Sequence, residues 1–235
     1  MLDIHTHILP GIDDGAKNVN DSVELLLQMQ KQGVTSAAAT PHFFPATAVL
    51  EDFLAERDEA YGKLFSAAGK DFPIKVLPGA EVLYFEGIGS FEDIGKLTVG
   101  NSRYLLLELL GLNRIDGKII SDIEKLGNNF GIVPIIAHVE RYCRYRGYKR
   151  LTDAIASGAA LCQVNADFIS SKQSVRAVKK LLKRGLVDFV ASDCHDPLLR
   201  PVKLDAAFRF IRGFNPDAEK AIRQKTEKVE SELIL

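Results

Sequence analysis

The chain has 235 residues, 46% of them hydrophobic, with 30 basic and 31 acidic side chains and a formal net charge of −1. That length suits one domain over residues 1–235 with a core large enough to need no covalent staple, and the charge balance gives no electrostatic case for a nucleic-acid or membrane-surface partner. Cys143, Cys162 and Cys194 are too few and too odd in number for a disulfide framework, and neither a secretory leader nor an apolar run of membrane-spanning length is visible, so a cytoplasmic setting is expected.

The first strand candidate, LDIH, carries His5 and leads through His7 into a Pro-Gly turn and the pair Asp13–Asp14. DSVELLLQMQKQG then repeats apolar residues at helical spacing, with Gly33 closing it. The strand TSAAAT follows and runs into Pro41 and His42. IKVLPGAEV brings Glu81, RYLLLELL brings Glu108, and IVPIIAHV brings His138. ALCQVNA, the helix VRAVKKLLKRG closed by Gly185, and LVDFVASD, with Asp193 and then His195, complete the series. The strands are nearly continuous in hydrophobicity, as expected when both faces of a parallel sheet are buried. Alternation of strand and helix about seven times predicts an α/β fold.

All five histidines lie at the C-terminal end of a predicted strand, joined there by Asp14, Glu81, Glu108 and Asp193. A closed barrel gathers such ends onto one rim, whereas an open sheet would spread them along a line, so the expectation is a barrel. His5 and His7, two apart, should share a strand face, and so should Asp193 and His195 if the last strand stays extended. Glu108 among leucines needs a cation or a hydrogen-bonding partner. Imidazole and carboxylate donors without clustered thiolates suit Mn²⁺, Fe²⁺ or Zn²⁺, and nine donors suit two or three ions. Arg141 and Arg200 follow two of the histidines, and either grip phosphate or are solvated loop charges. CHDPLLR also satisfies a C-x5-R spacing, but Pro197 lacks an N–H and the loop has no glycine to wrap an anion, which disfavours a cysteine nucleophile.

DIHTHILPGIDDG, with ATPH, PGAEV, the LLLELL glutamate, AHVER and ASDCH, resembles the PHP (polymerase and histidinol phosphatase) superfamily, and within it the bacterial PHP-type protein-tyrosine phosphatases that serve capsule and exopolysaccharide synthesis. The resemblance implies a distorted (β/α)7 barrel with a trinuclear, typically manganese, site. One ion would take His5, His7, Glu81 and Asp193, a second Glu81, Glu108 and His138, and a third Asp14, His42 and His195. It also implies that Arg141 and Arg200 bind phosphate and that the substrate is a phosphotyrosyl protein, such as the tail of a bacterial tyrosine kinase. A proton donor, if used, would be Asp193 or His195. Val139 and Cys194 depart from the family pattern without removing a ligand. The rival reading is a PHP phosphoesterase acting on a small monoester such as histidinol phosphate. Asp13 is either a support for the site or a turn-forming residue, the basic stretch 143–150 is open between substrate docking and a solvated loop, and the role of the segment from Asn215 onward, which the quoted motifs do not reach, is open.

Overall fold

Seven apolar runs become the staves of a curled parallel sheet, and the polar residues that end them all arrive at one rim. The computed structural model describes residues 1–169 and 171–234. The strands are β1 (Leu2–Thr6), β2 (Ser36–Ala39), β3 (His42–Phe43), β4 (Lys75–Pro78), β5 (Glu81–Leu83), β6 (Tyr104–Glu108), β7 (Val133–Ile136), β8 (Leu161–Asn165) and β9 (Phe189–Ala191). They pair in parallel as β1-β2-β4 and β3-β5-β6-β7-β8-β9. The two sheets are halves of one wall. β3 continues β2 across Thr40–Pro41, β5 continues β4 across Gly79–Ala80, and Glu81 N–H donates to Pro41 O at 3.0 Å across the break. The edges meet where His7 N–H donates to Cys194 O and Asp193 N–H to His5 O, both at 3.0 Å. Counted this way, seven staves stand in chain order, as the resemblance implied.

The helices α1 (Val19–Lys31), α2 (Leu50–Ala68), α3 (Gly117–Phe130), α4 (Tyr148–Ala156), α5 (Val175–Lys183) and α6 (Leu204–Phe214) cover the outside. Sequence signals set their ends: Asn18 caps α1 by accepting from the N–H groups of Asn20 and Asp21, and Asp116 caps α3 in the same way. Gly33 and Gly185 take positive φ just past α1 and α5, as expected of glycines at that position. One expected crossover helix is missing. Between β5 and β6 the chain makes three short 3₁₀ turns instead, Ile88–Ser90, Glu92–Leu97 and Val99–Asn101, and this together with the two broken staves is the distortion of the barrel.

Inside the barrel, Leu2, Ile4, Ala38, Leu77, Leu106, Ile135, Phe189 and Ala191 pack in one cluster with Val229 and Leu233. Those last two belong to α7 (Pro216–Ile234), so this helix, which opens the segment from Asn215, plugs the end of the barrel opposite the polar rim. Tyr104 Oη donates to Glu232 at 2.7 Å and Lys225 pairs with Asp188 at 2.8 Å, fixing the plug to the strand starts. No helix among the described residues is long and apolar enough to cross a membrane.

Candidate metal centre

Each stave carries its apolar residues at the bottom and a polar one at the top of the same inward face. On β6 the inward series is Tyr104, Leu106, Glu108, and on β8 it is Leu161, Gln163, Asn165. β1 needs a correction to this rhythm. Its pairing with β2 slips by one residue between Asp3 and Thr6, a bulge that lets Ile4 and His5 both face inward. His5 and His7 therefore share a face as expected, with Nε2 atoms 3.1 Å apart. The last strand behaves otherwise than expected: β9 ends at Ala191, and Asp193 sits at φ 49°, so it and His195 reach the rim from a turn and not from an extended strand. His138 is similarly left-handed, at φ 34°. Non-glycine residues pay about 1–3 kcal/mol for such backbone, and persist in it where the surroundings impose it.

The nine candidate ligands converge. His5 Nε2 lies 3.1 Å from Glu81 Oε2 and 3.5 Å from Asp193 Oδ1, and His7 Nε2 lies 3.2 and 3.5 Å from the same two oxygens. His138 Nε2 lies 3.0 Å from Glu81 Oε1 and 3.2 Å from Glu108 Oε1. Asp14 Oδ1 stands 3.4 Å from His195 Nε2 and 3.5 Å from His42 Nε2. His42 bridges the groups, because its Nδ1 is 3.1 Å from Glu81 Oε2 and 4.0 Å from Glu108 Oε2. Donor–donor separations near 3–3.5 Å are the edges of a coordination shell with bonds of about 2.1 Å.

The tautomers support the same reading. His7 Nδ1 faces Asp13 Oδ2 at 2.7 Å, His138 Nδ1 faces the Tyr142 hydroxyl at 3.0 Å, His195 Nδ1 faces Asp193 O at 3.0 Å and His5 Nδ1 faces Gln163 Oε1 at 3.4 Å. Four imidazoles are thus anchored through Nδ1 with Nε2 turned to the centre, the arrangement metal-ligating histidines adopt. His42 Nδ1 is buried with no hydrogen-bond partner, and it points at carboxylate oxygens. A divalent cation would satisfy it. All the cluster is buried except His42, half-buried, and Asp14, whose side chain is 66% exposed at the mouth.

Supports the sequence did not single out hold this arrangement. Gln163 Oε1 accepts from His138 N–H at 2.6 Å, and Gln163 Nε2 donates to Asn165 Oδ1 at 2.8 Å. Asn165 Nδ2 in turn donates to Asp193 Oδ2. The available signal was two amides two residues apart inside the apolar run ALCQVNA. Tyr142 was a further omission. Asp13 fills both roles weighed for it: Oδ1 accepts from Gly15 N–H at 2.9 Å as a turn, while Oδ2 takes His7 and the His42 N–H at 3.1 Å. A Cβ on Gly15 would run into the His7 carbonyl, so the turn needs glycine.

Arg141 and Arg200 both donate to Asp193 Oδ2, at 3.1 and 2.9 Å, and line the cleft above the cluster. The Arg141 guanidinium also sits 4.8 Å from the centre of the Phe168 ring. Burial pushes the Asp193 carboxyl up, but His5 and His7 beside it hold it below the ordinary carboxylate range. Cys194 is fully buried among apolar side chains and burial pushes its thiol up, so it makes no nucleophile. The basic stretch 143–150 contributes nothing to the cleft lining, which, among the described residues, takes Arg141 and none after it until Asp193.

The family described as capsular polysaccharide synthesis, CpsB/CapC, matches residues 1–227. The chain is 31% identical over 205 residues to tyrosine-protein phosphatase YwqE of Bacillus subtilis, covering 83% of this chain and 78% of that protein. It is 28% identical over 229 residues to tyrosine-protein phosphatase CpsB of Streptococcus agalactiae, covering 90% and 89%. Among solved structures it resembles one described as YwqE from Bacillus subtilis and CpsB from Streptococcus pneumoniae, unique metal-dependent tyrosine phosphatases, with TM-score 0.74, 24% identity and coverage of 95% and 94%. A histidinol phosphate phosphatase from Lactococcus lactis shares the fold at TM-score 0.55 and 15% identity, covering 93% of this chain and 94% of that one.

Proposed function

The chain belongs to the CpsB/CapC capsular polysaccharide synthesis family, and from that premise we propose that its rim cluster is the active site of a metal-dependent protein-tyrosine phosphatase. The observation that carries the reading is the orphaned His42 Nδ1 among convergent imidazole and carboxylate donors, with two arginines directly above them. His5, His7, Glu81 and Asp193 would hold one ion, Glu81, Glu108 and His138 a second, and Asp14, His195 and His42, through its Nε2, a third, while His42 Nδ1 faces the carboxylates of the second set; manganese is the expected metal. Bound there, divalent ions lower the pKa of water and neutralise phosphate oxygens.

The side chains supply position and charge. Arg141 and Arg200 approach Asp193 from two elements and grip the equatorial oxygens of a monoester entering the cleft. Asp193 and His195 act as ligands and not as proton donors. Asp193 Oδ1 faces imidazole nitrogens and Oδ2 accepts from Asn165 and both arginines, surroundings that hold the carboxyl ionised and suit it to bind a cation, not to give up a proton. A phenolate leaving group, with its pKa near that of tyrosine, departs with little proton assistance. The substrate is then a phosphotyrosyl protein of polysaccharide synthesis, such as a bacterial tyrosine kinase, in the cytoplasm. Phosphate release from a phosphotyrosyl peptide, using chelator-stripped protein with and without Mn²⁺, tests this. Activity restored by the ion is expected, and activity on histidinol phosphate alone would replace the substrate.

A further inference from the structure

The cleft has a volume of about 360 Å³ and is lined by Arg141 and Arg200, which follow β7 and β9, and by Phe44, Leu83 and Leu110, which stand at or just past the ends of β3, β5 and β6 on the three staves before β7. These three follow the candidate ligands His42, Glu81 and Glu108 by two residues each, on neighbouring staves. The register pairs His42 with Glu81 and Leu83 with Glu108, so Leu83 stands level with the ligand of the next stave and the apolar side chains rise stepwise beside the ligands. Phe44 is 41% exposed and stacks on His42, ring centres 5.0 Å apart and planes 21° off parallel, while Leu110 is 45% exposed. Apolar side chains clustered in a cleft beside a charged centre are what a ligand site with an apolar part presents.

We propose that Phe44, Leu83 and Leu110 form the subsite for the aromatic ring of the substrate and select aryl over alkyl phosphate monoesters. The proposal rests on the phosphatase reading above and adds residues that set its specificity. With the phosphoryl group between the arginines and the ligand layer, the ester oxygen points across the cleft, and a planar ring one bond further on meets the apolar wall. A serine-like alkyl chain leaves that wall wet. Ring contacts of this kind change affinity by about 5- to 10-fold.

The test uses two inert anions, phenylphosphonate and methylphosphonate, titrated calorimetrically into metal-loaded protein. Because neither reacts, leaving-group chemistry drops out and the affinity ratio reads the wall alone. Wild-type protein should bind the phenyl compound ~5- to 10-fold more tightly, and Leu110→Ala and Phe44→Ala should each lose most of that preference. For a phosphotyrosyl peptide the loss should fall on KM and not on kcat. Leu110→Ala is the cleaner variant, since Phe44 also touches His42. Phe65→Ala, exposed and outside the cleft, should keep the full preference. Equal affinity of the two anions in wild-type protein, or a preference untouched in both variants, overturns the subsite while peptide hydrolysis leaves the phosphatase reading standing. Absence of both binding and hydrolysis overturns the two together.

Discussion

Replacing Tyr142 by Phe removes one oxygen from the core and should weaken both the fold and the metal centre. The hydroxyl accepts from Leu109 N–H at 2.9 Å and meets His138 Nδ1 at 3.0 Å, and Tyr142 and Leu109 are both fully buried. Without it a buried amide and an imidazole nitrogen lose their partners, at about 1–3 kcal/mol for each group, so a total of about 2–6 kcal/mol is expected. For a chain of 235 residues about 1 kcal/mol corresponds to roughly 2 °C, which puts the fall in Tm of metal-free protein at about 4–12 °C. His138 also loses the group that orients its ring, and such losses weaken metal binding ~10- to 100-fold. At saturating Mn²⁺ that subtracts a further ~1.4–2.7 kcal/mol, or about 3–5 °C, from the stabilisation the ion confers. Differential scanning calorimetry of both proteins, with and without Mn²⁺, separates the two effects. A Tyr142→Phe protein with unchanged metal-free Tm and an unchanged metal-induced shift would refute the reasoning.

Other expectations follow from the same geometry. His138→Ala or Glu108→Ala should abolish phosphopeptide turnover while the circular dichroism spectrum stays native, and full activity in either would remove that residue from the centre. Cys194→Ser should keep most activity, because the thiol is buried away from the cleft; a dead variant with native spectrum would revive the cysteine mechanism. Metal affinity should rise with pH. Burial works to lower the His138 pKa, but hydrogen bonds to Glu108 and Glu81 outweigh it and raise the imidazole to about 9. At neutral pH the metal-free ring is then protonated and must shed its proton to bind an ion, so apparent affinity should gain up to about tenfold per pH unit below 9. Calorimetric titrations of Mn²⁺ in buffers of different ionisation enthalpy should show that proton release, and a pH-independent affinity would contradict it.

The sequence by itself determined which residues could do chemistry and on which end of the fold they stand. Five histidines and four carboxylates closing apolar runs are legible because a strand ends where its polar residue meets the rim, and because a parallel barrel puts all those ends on one side. The helix ends at Gly33 and Gly185 were likewise local, since caps act within a few residues, whereas the caps at Asn18 and Asp116 emerged only with the structure. Tertiary structure alone decided the rest. The bulge that turns His5 inward depends on the slip between β1 and β2, and the left-handed turn at Asp193 depends on closure of β9 against β1. Gln163, Asn165 and Tyr142 read as ordinary members of their segments, because a support is defined by the partner it reaches across the barrel and not by its neighbours in the chain. The plug formed by α7 shows the same limit: Val229 and Leu233 become meaningful only when seven strand starts stand in a ring around them. Local physics writes strands, caps and candidate ligands into the chain, whereas contacts between distant residues exist only once the barrel has closed.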